Sequence, residues 1–503
     1  MYRQYKLVSC LAFCGLLALT ACKKQLDTNL NDPNGKGINE LTGKDVFAQA
    51  LVSAVTNKVG GNISTAADNY DYAQQWLGYW ARNTGWASSG AQQQMETFGL
   101  NNSFGDGIWA SLYHNIYDFN YVMGNSTTGS VLPGASRAMR AMIFEDLVDQ
   151  FGNIPYSQAG QPGLTLAPAY DSAATIYKDL IVQLDSAILS LQASQATTDD
   201  ASDVMFKGNK TLWLEFANTI KLRILLRQVP HGDQAYVTTQ VARIVTQGSG
   251  FLGAGQDALI NPGFSDATQK QNPFWAVYGF QPGTTTGYQN NNFFTANNVM
   301  LNFLDSVGDV RKGYFFAKNS QGGIGGNFFG ETLSGTAVTS AFGSGLLPSA
   351  SAPALLFSAS QSFFMQAEMV QRGLMTGNAA TLYKQGVEES FRYLGVSGGA
   401  AAADAYISGS TNGMVNFTVS TNKLQTILYQ KWIAECGLDG LEAWSDWRRT
   451  GYPFIEVPSY AAPGEPTPQR ILYPESEYTQ NGTNVLAQNQ APSDIYIPLF
   501  WAH

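Results

Sequence analysis

The chain has 503 residues and a formal net charge of −9, with 29 Lys and Arg against 38 Asp and Glu; it is 44% hydrophobic, 12% aromatic and only 13% charged. That balance is too apolar for a disordered chain and too poor in cations to hold a phosphate backbone, which excludes nucleic acid as a partner. Asn, Gln, Ser and Thr supply the polarity, and beside many aromatic rings they suit uncharged polar ligands such as sugars or peptides.

The chain opens with a basic start, Arg3 and Lys6, followed by an apolar run from Leu7 to Ala18 that is too short for a membrane span and ends in small residues. Residues 1–21 therefore read as an export signal. The next residues, Leu19-Thr20-Ala21-Cys22, resemble the lipobox of bacterial lipoproteins. Cleavage before Cys22 and acylation of its thiol and amino group would give an anchor stronger than any single acyl chain. Cys10 and Cys14 leave with the signal and Cys22 carries lipid, so Cys436 is left alone and no disulfide is expected. Residues 22–43 read as a tether. Asp27, Asn29 and Asn31 imitate a calcium loop, but Asp32 stands where Gly is needed and Ile38 where Glu is needed.

Residues 44–503 read as one domain, mostly α. Helical periodicity predicts helices over 44–58, 136–150, 171–192 (capped by Asp171), 209–228, 360–373, 378–395 and 422–437. Strand-like alternation is scarce. Residues 248–358 are rich in Gly, Asn, Thr and aromatic residues with little helical period, a length of loop that implies a job or short elements of its own.

Five segments carry a family resemblance. Residues 138–156 run from an amphipathic helix into Asp149-Gln150-Phe151-Gly152-Asn153-Ile154-Pro155-Tyr156. Tyr170-Asp171-Ser172 precedes Ile176-Tyr177, and Trp213 to Arg223 reads WLEFANTIKLR. Ala367-Glu368 stands before Arg372-Gly373, and Gln430-Lys431-Trp432 precedes Glu442 to Pro453, EAWSDWRRTGYP. In this order they resemble the SusD/RagB-like lipoproteins of Bacteroidetes, in the SusD-like branch. The resemblance implies a SusD-like fold of tetratricopeptide-like helix pairs with large loop-rich insertions. It also implies a place on the outer membrane, facing the exterior, where the protein acts as the lid of a SusC-like TonB-dependent transporter. The implied ligand is an oligosaccharide, or a peptide in RagB-like members. Within these motifs, Trp213, Arg223, Trp432, Arg448 and Arg449 are expected to be packing and buried charge partners.

Nothing in the sequence assembles a catalyst. Gly395-Val396-Ser397-Gly398-Gly399 matches a nucleophile elbow, but a helix rather than a strand is predicted before it. His114, His231 and His503 are widely spaced and no Cys pair exists, so neither a metal nor another cofactor is expected. Glu145, Asp146 and Asp149 are expected to solvate the outer face of their helix rather than to form the acid pair of a lipid-anchored glycoside hydrolase.

Aromatic loops are the better candidates for binding. Trp76 and Trp80, four apart, read as one helix face, whereas Trp86 follows Gly85 in a polar stretch. Trp275, Tyr278, Phe280 and Tyr288 stand among Gln, Asn and Thr. A flat ring beside an amide suits the C–H face and hydroxyl edge of a sugar. The expected ligand-binding residues are therefore Trp80, Asn83, Trp86, Trp275, Tyr278, Phe280 and Tyr288, with Cys22 as the lipid attachment.

Overall fold

The computed structural model describes residues 40–59, 71–160, 166–229, 232–332, 338–454 and 457–503. The export signal, Cys22 and residues 22–39 of the tether lie outside them. Helix α1 (Gly43–Val59) forms where the period predicts it, with Phe47, Ala50, Leu51 and Val55 fully buried. Helix α2 (Asp71–Trp76) is short, and the chain leaves it at Leu77 and Gly78 to enter β1 (Trp80–Arg82). Trp76 and Trp80 are thus not on one helix face; each enters the core from a different element.

Helices α3 (Gly90–Thr97) and α4 (Asp106–Asn125) lead to α5 (Leu132–Phe151), which ends at Gly152. At φ 84° this residue sits in the left-handed region that glycine tolerates, and its N–H donates to the Val148 carbonyl. Strands β2 (Ile154–Pro155) and β3 (Tyr170–Asp171) pair antiparallel. The cap of α6 (Ala173–Ala193) is Ser172, whose hydroxyl accepts from Thr175 N–H, not Asp171. Asp171 instead accepts from the backbone N–H groups of Tyr156 and Ser157. Asn209 caps α7 (Lys210–Arg227) by accepting from Thr211 and Leu212 N–H, and Asp233 caps α8 (Gln234–Gln247) in the same way.

The Gly-rich stretch carries its own short elements: β4 (Ala258–Ile260), α9 (Pro273–Tyr278), α10 (Gln289–Phe293), β5 (Phe294–Ala296), α11 (Asn298–Ser306), α12 (Lys312–Phe315) and β6 (Ala354–Phe357). Strand β4 pairs with β6, and β1 pairs with β5. Helices α13 (Ala359–Gln371), α14 (Ala379–Tyr393), α15 (Gly399–Gly409), α16 (Lys423–Ala434) and α17 (Gly440–Thr450) complete the scaffold. Neighbouring helices pack in series, α4 on α5, α5 on α6 and α6 on α7, then α13 on α14 and α16. Short α18 (Glu475–Gln480) and α19 (Gly482–Leu486) close the chain. No helix among the described residues is long and apolar enough to cross a membrane.

The seam between these helices is ionic. Glu145 and Asp149 of α5 are 0% and 1% exposed, so the expected solvated face is instead a buried one. Arg223 of α7 pairs with Glu145 at 2.7 Å, and Arg227 pairs with Asp149 at 3.1 Å and with Glu442 of α17. Arg449 makes two bonds to Glu368, at 2.6 and 2.7 Å. Helix α5 is buried nearly all round, and only paired carboxylates are tolerated there. Trp213, Trp432, Arg448 and Arg449 are likewise buried, and Cys436 is a fully buried core residue.

Candidate functional site

Pairing of β1 with β5 joins the two aromatic segments that the sequence keeps apart. The register sets Trp80 opposite Ala296, Ala81 opposite Thr295 and Arg82 opposite Phe294. Beyond the strand, Asn83 continues the contact. Its N–H donates to the Phe293 carbonyl at 2.7 Å, its Nδ2 donates to the Asn292 carbonyl at 3.0 Å, and its Oδ1 accepts from the Thr339 hydroxyl at 2.6 Å. Gly85, at φ 84°, turns the chain. The turn presents Trp86, whose ring lies 5.4 Å from that of Phe293, edge to face.

The turn is held from beneath by buried charge. Arg82 Nε and Nη2 reach Glu96 of α3 at 2.9 and 3.3 Å, and Nη1 donates to the Trp86 carbonyl. Gln92 Nε2 donates to the same Glu96 carboxylate at 2.9 Å, and Asn327 Nδ2 donates to the Arg82 carbonyl at 3.0 Å. Arg82 and Glu96 are 4% and 1% exposed, so the pair is screened little by solvent and keeps the backbone of Trp86 in one place. The Trp86 ring itself is partly exposed, and its indole N–H has no acceptor among the described residues.

The expected residues therefore divide. Trp80 and Tyr278 are core, 2% and 1% exposed, packed with Phe342 at 4.7 and 5.5 Å and with Phe294 at 5.7 and 5.9 Å. Neither presents a ring face to solvent, because the strand that carries Trp80 directs it under the insertion. The Asn83 amide is consumed by the bonds above. Trp275, Phe280 and Tyr288 are partly exposed and fold on one another. Trp275 Nε1 donates to the Phe280 carbonyl at 3.1 Å with the two rings 5.6 Å apart, and the Tyr288 hydroxyl donates to Gln271 Oε1 at 2.9 Å. Trp275 also lines a cleft with Tyr393, Pro348 and Pro353 of about 30 Å³. That volume holds about one water, not a sugar.

The structure adds a pair that no sequence pattern marks. Phe328 and Tyr460 stack with centroids 5.4 Å apart and planes at 30°, and Tyr460 is 52% exposed. Tyr460 N–H donates to the Phe329 carbonyl, and Asn327, next in chain to Phe328, is the residue that holds Arg82. Phe328 and Tyr460 belong to distant segments, so the pairing has no periodic signal.

One carboxylate cluster has metal-like spacing. Oxygens of Glu435, Glu442 and Asp446 lie within 4.8 Å of one another. Lys431 Nζ stands among them, 2.5 Å from Glu442, 2.7 Å from Asp446 and 3.6 Å from Glu435. The ammonium occupies the place a cation would take, so the cluster is a fully buried ion cage. Burial pushes the Glu435 carboxyl well above its usual range. Burial would do the same to Glu442, but Arg227 and Lys431 override it and hold that carboxyl well below. Ser397, the serine of the elbow-like motif, follows a helix and its N–H donates to the Tyr314 hydroxyl at 2.9 Å.

Residues 39–474 match a family model named SusD-like and described as starch-binding, associating with the outer membrane. No curated protein matches the chain closely enough to count as a relative. Among solved structures, a chitin-binding SusD homologue of Flavobacterium johnsoniae superposes with a TM-score of 0.71 at 24% identity, covering 90% of this chain and 98% of the other. A SusD/RagB family protein of Bacteroides thetaiotaomicron gives 0.74 at 20% identity over 92% and 99%, and a SusD homologue of Bacteroides uniformis gives 0.71 at 24% over 91% and 99%. At these identities the likeness establishes the fold.

Proposed function

Because the chain belongs to the SusD-like family, we propose that it is a surface lipoprotein of the outer membrane that binds oligosaccharides and serves as the lid of a SusC-like TonB-dependent transporter. In this reading Cys22 carries the lipid, and the surface bearing Trp86 meets the ligand with Trp275, Phe280 and Tyr288 around it. The protein binds and passes on its ligand without cleaving it.

The observation that carries the reading is the Trp86 turn. A partly exposed ring, its indole N–H without an acceptor among the described residues, stands on a backbone fixed by a buried ion pair. A ring held still before the ligand arrives loses little freedom on binding. Exposed Gln289 and Asn292 lie close by in sequence to the Phe293 ring that packs on it, so donors and acceptors accompany an apolar face, as a sugar requires. The name of the Flavobacterium johnsoniae homologue, chitin-binding, supports the same class of ligand.

Calorimetric titration with maltohexaose, chitohexaose and a mixed peptide library tests the proposal. The expected result is heat from at least one sugar, reduced in Trp86→Ala, and no release of reducing ends on long incubation. Binding of peptides alone would move the assignment to a RagB-like peptide carrier. Sugar cleavage abolished by a single Asp or Glu substitution would make the protein a hydrolase.

A further inference from the structure

A further groove lies between the end of α17 and residues 457–467, and none of its lining residues belongs to the Trp86 turn. Its volume is about 960 Å³, at the upper end of what an oligomeric small ligand fills. Trp447 of α17, Trp76, Phe454, Pro458 and His503 are among its lining residues, with Glu465 at its rim.

Two features of its rings are unlike core packing. Phe454 is 79% exposed although its backbone is pinned, its N–H donating to the Tyr429 hydroxyl at 3.0 Å. Trp447 is partly buried against the core, yet its indole N–H has no acceptor among the described residues. A fixed backbone with a ring left in water is what a stacking platform needs, and a free indole N–H is a donor awaiting an acceptor.

The polar groups decide the ligand class. Among the described lining residues there is no Lys or Arg, Glu465 is the one acidic side chain and His503 the one imidazole, so the described lining carries no fixed positive charge to draw an anionic ligand. Glu465 Oε2 accepts from the Tyr496 hydroxyl at 3.3 Å, which orients the group, while Oε1 has no donor among the described residues. The rim therefore presents an oriented carboxylate oxygen to a ligand that carries hydroxyl donors. A saccharide offers a hydroxyl at most ring positions and a flat C–H face to the rings. Strand addition of an extended peptide would need a strand edge, and none lies between 447 and 467 among the described residues; a proline-rich peptide, which needs none, is an arm of the test.

We propose that this groove is a second saccharide-binding site, separate from the Trp86 surface, in which Trp447 and Phe454 stack on sugar rings and Glu465 accepts from vicinal hydroxyls. It shares with the proposed function the premise that the ligand is a saccharide, and adds a site to it.

The test titrates maltohexaose and chitohexaose into wild type, Trp86→Ala, Trp447→Ala, Phe454→Ala and Glu465→Gln, with melting curves of each. In Trp447→Ala or Phe454→Ala the groove's share of hexasaccharide binding should weaken by about five- to a hundredfold, while the share held by the Trp86 surface stays as in wild type. The melting point of Phe454→Ala and Glu465→Gln should stay at the wild-type value, since both side chains are exposed. If Trp86→Ala abolishes binding while all three groove variants bind as wild type does, the proposed function stands and the second site falls. If the groove variants lose binding and Trp86→Ala does not, the groove stands and the Trp86 surface falls. Failure of both sugars to bind wild type overturns both, and a proline-rich peptide that binds wild type but not Trp447→Ala overturns the saccharide assignment of the groove.

Discussion

Trp80 and Trp86 share one short segment and opposite environments, which makes them a matched pair for experiment. Truncating Trp80 opens a cavity among Phe342, Phe294 and Tyr278, so Trp80→Ala should cost about 3–5 kcal/mol of stability, read as a lowered urea midpoint. Trp86→Ala should leave stability within about 0.5–1 kcal/mol of wild type while weakening sugar binding. A second residue-scale prediction concerns Glu368. Burial alone would raise its carboxyl from 4.5, but Arg449, with Arg372 and Lys431, overrides burial and holds it down to about 2. Between these values the unfolded chain binds the extra proton, so the stabilisation is complete above about pH 4.5 and lost as the pH falls towards 2. Burial pushes Asp146 the other way, from 3.8 up to about 7, and so gives an opposite slope from 3.8 to 7. In Glu368→Gln the urea midpoint should drop at pH 7 by the equivalent of about 1.5–3 kcal/mol, because the buried Arg449 loses its bonds to the carboxylate and keeps, among the described residues, only Asp446 as a charged partner. It should then fall less steeply than wild type from pH 4.5 to 2.

At the scale of elements, the caps are the most local determinants. Asn209 accepts from two backbone N–H groups at the head of α7, so Asn209→Ala should lower stability by about 1 kcal/mol, measurable as a shift of the unfolding midpoint with unchanged slope. The helices were legible in the sequence wherever one face is apolar and the other wet, as in α1 and α6. Helix α5 misled because it is buried nearly all round, so Glu145 and Asp149 looked like a solvated stripe and are partners of arginines 78 residues further on. Spacing along one helix carries no record of a charge on another. Strands β1 and β5 were illegible for a different reason: three residues are too few to show a period, and Asn297, just past β5, reaches the Trp80 carbonyl 217 residues away. Of the candidate surface, Trp86 could be read from the Gly85 turn and its polar neighbours. The burial of Trp80 and Tyr278, the Phe328–Tyr460 stack and the exposed ring of Phe454 depend on tertiary pairing that neighbouring residues do not encode.

For the whole molecule, anchoring and folding are separable. The helical body begins at α1, after the tether, so Cys22→Ala should move the protein from the membrane to the soluble fraction without altering its melting point. Palmitate labelling that persists in the variant would contradict the lipobox reading. The pairing of β1 with β5 has a consequence in time. Closing so long a stretch adds little to the equilibrium cost, because loop entropy grows only with the logarithm of length, but contacts between distant segments are slow to form. The α4–α5–α6–α7 series joins neighbours in the chain and can assemble helix by helix, in chain order. The Trp86 turn must wait for residues 292–296 and for Thr339. In refolding from urea, far-ultraviolet circular dichroism should therefore recover before the fluorescence of a variant reporting on Trp86. A chain stalled between the two stages would carry a finished scaffold and a blank face, a protein already able to resist proteolysis and still unable to hold its cargo.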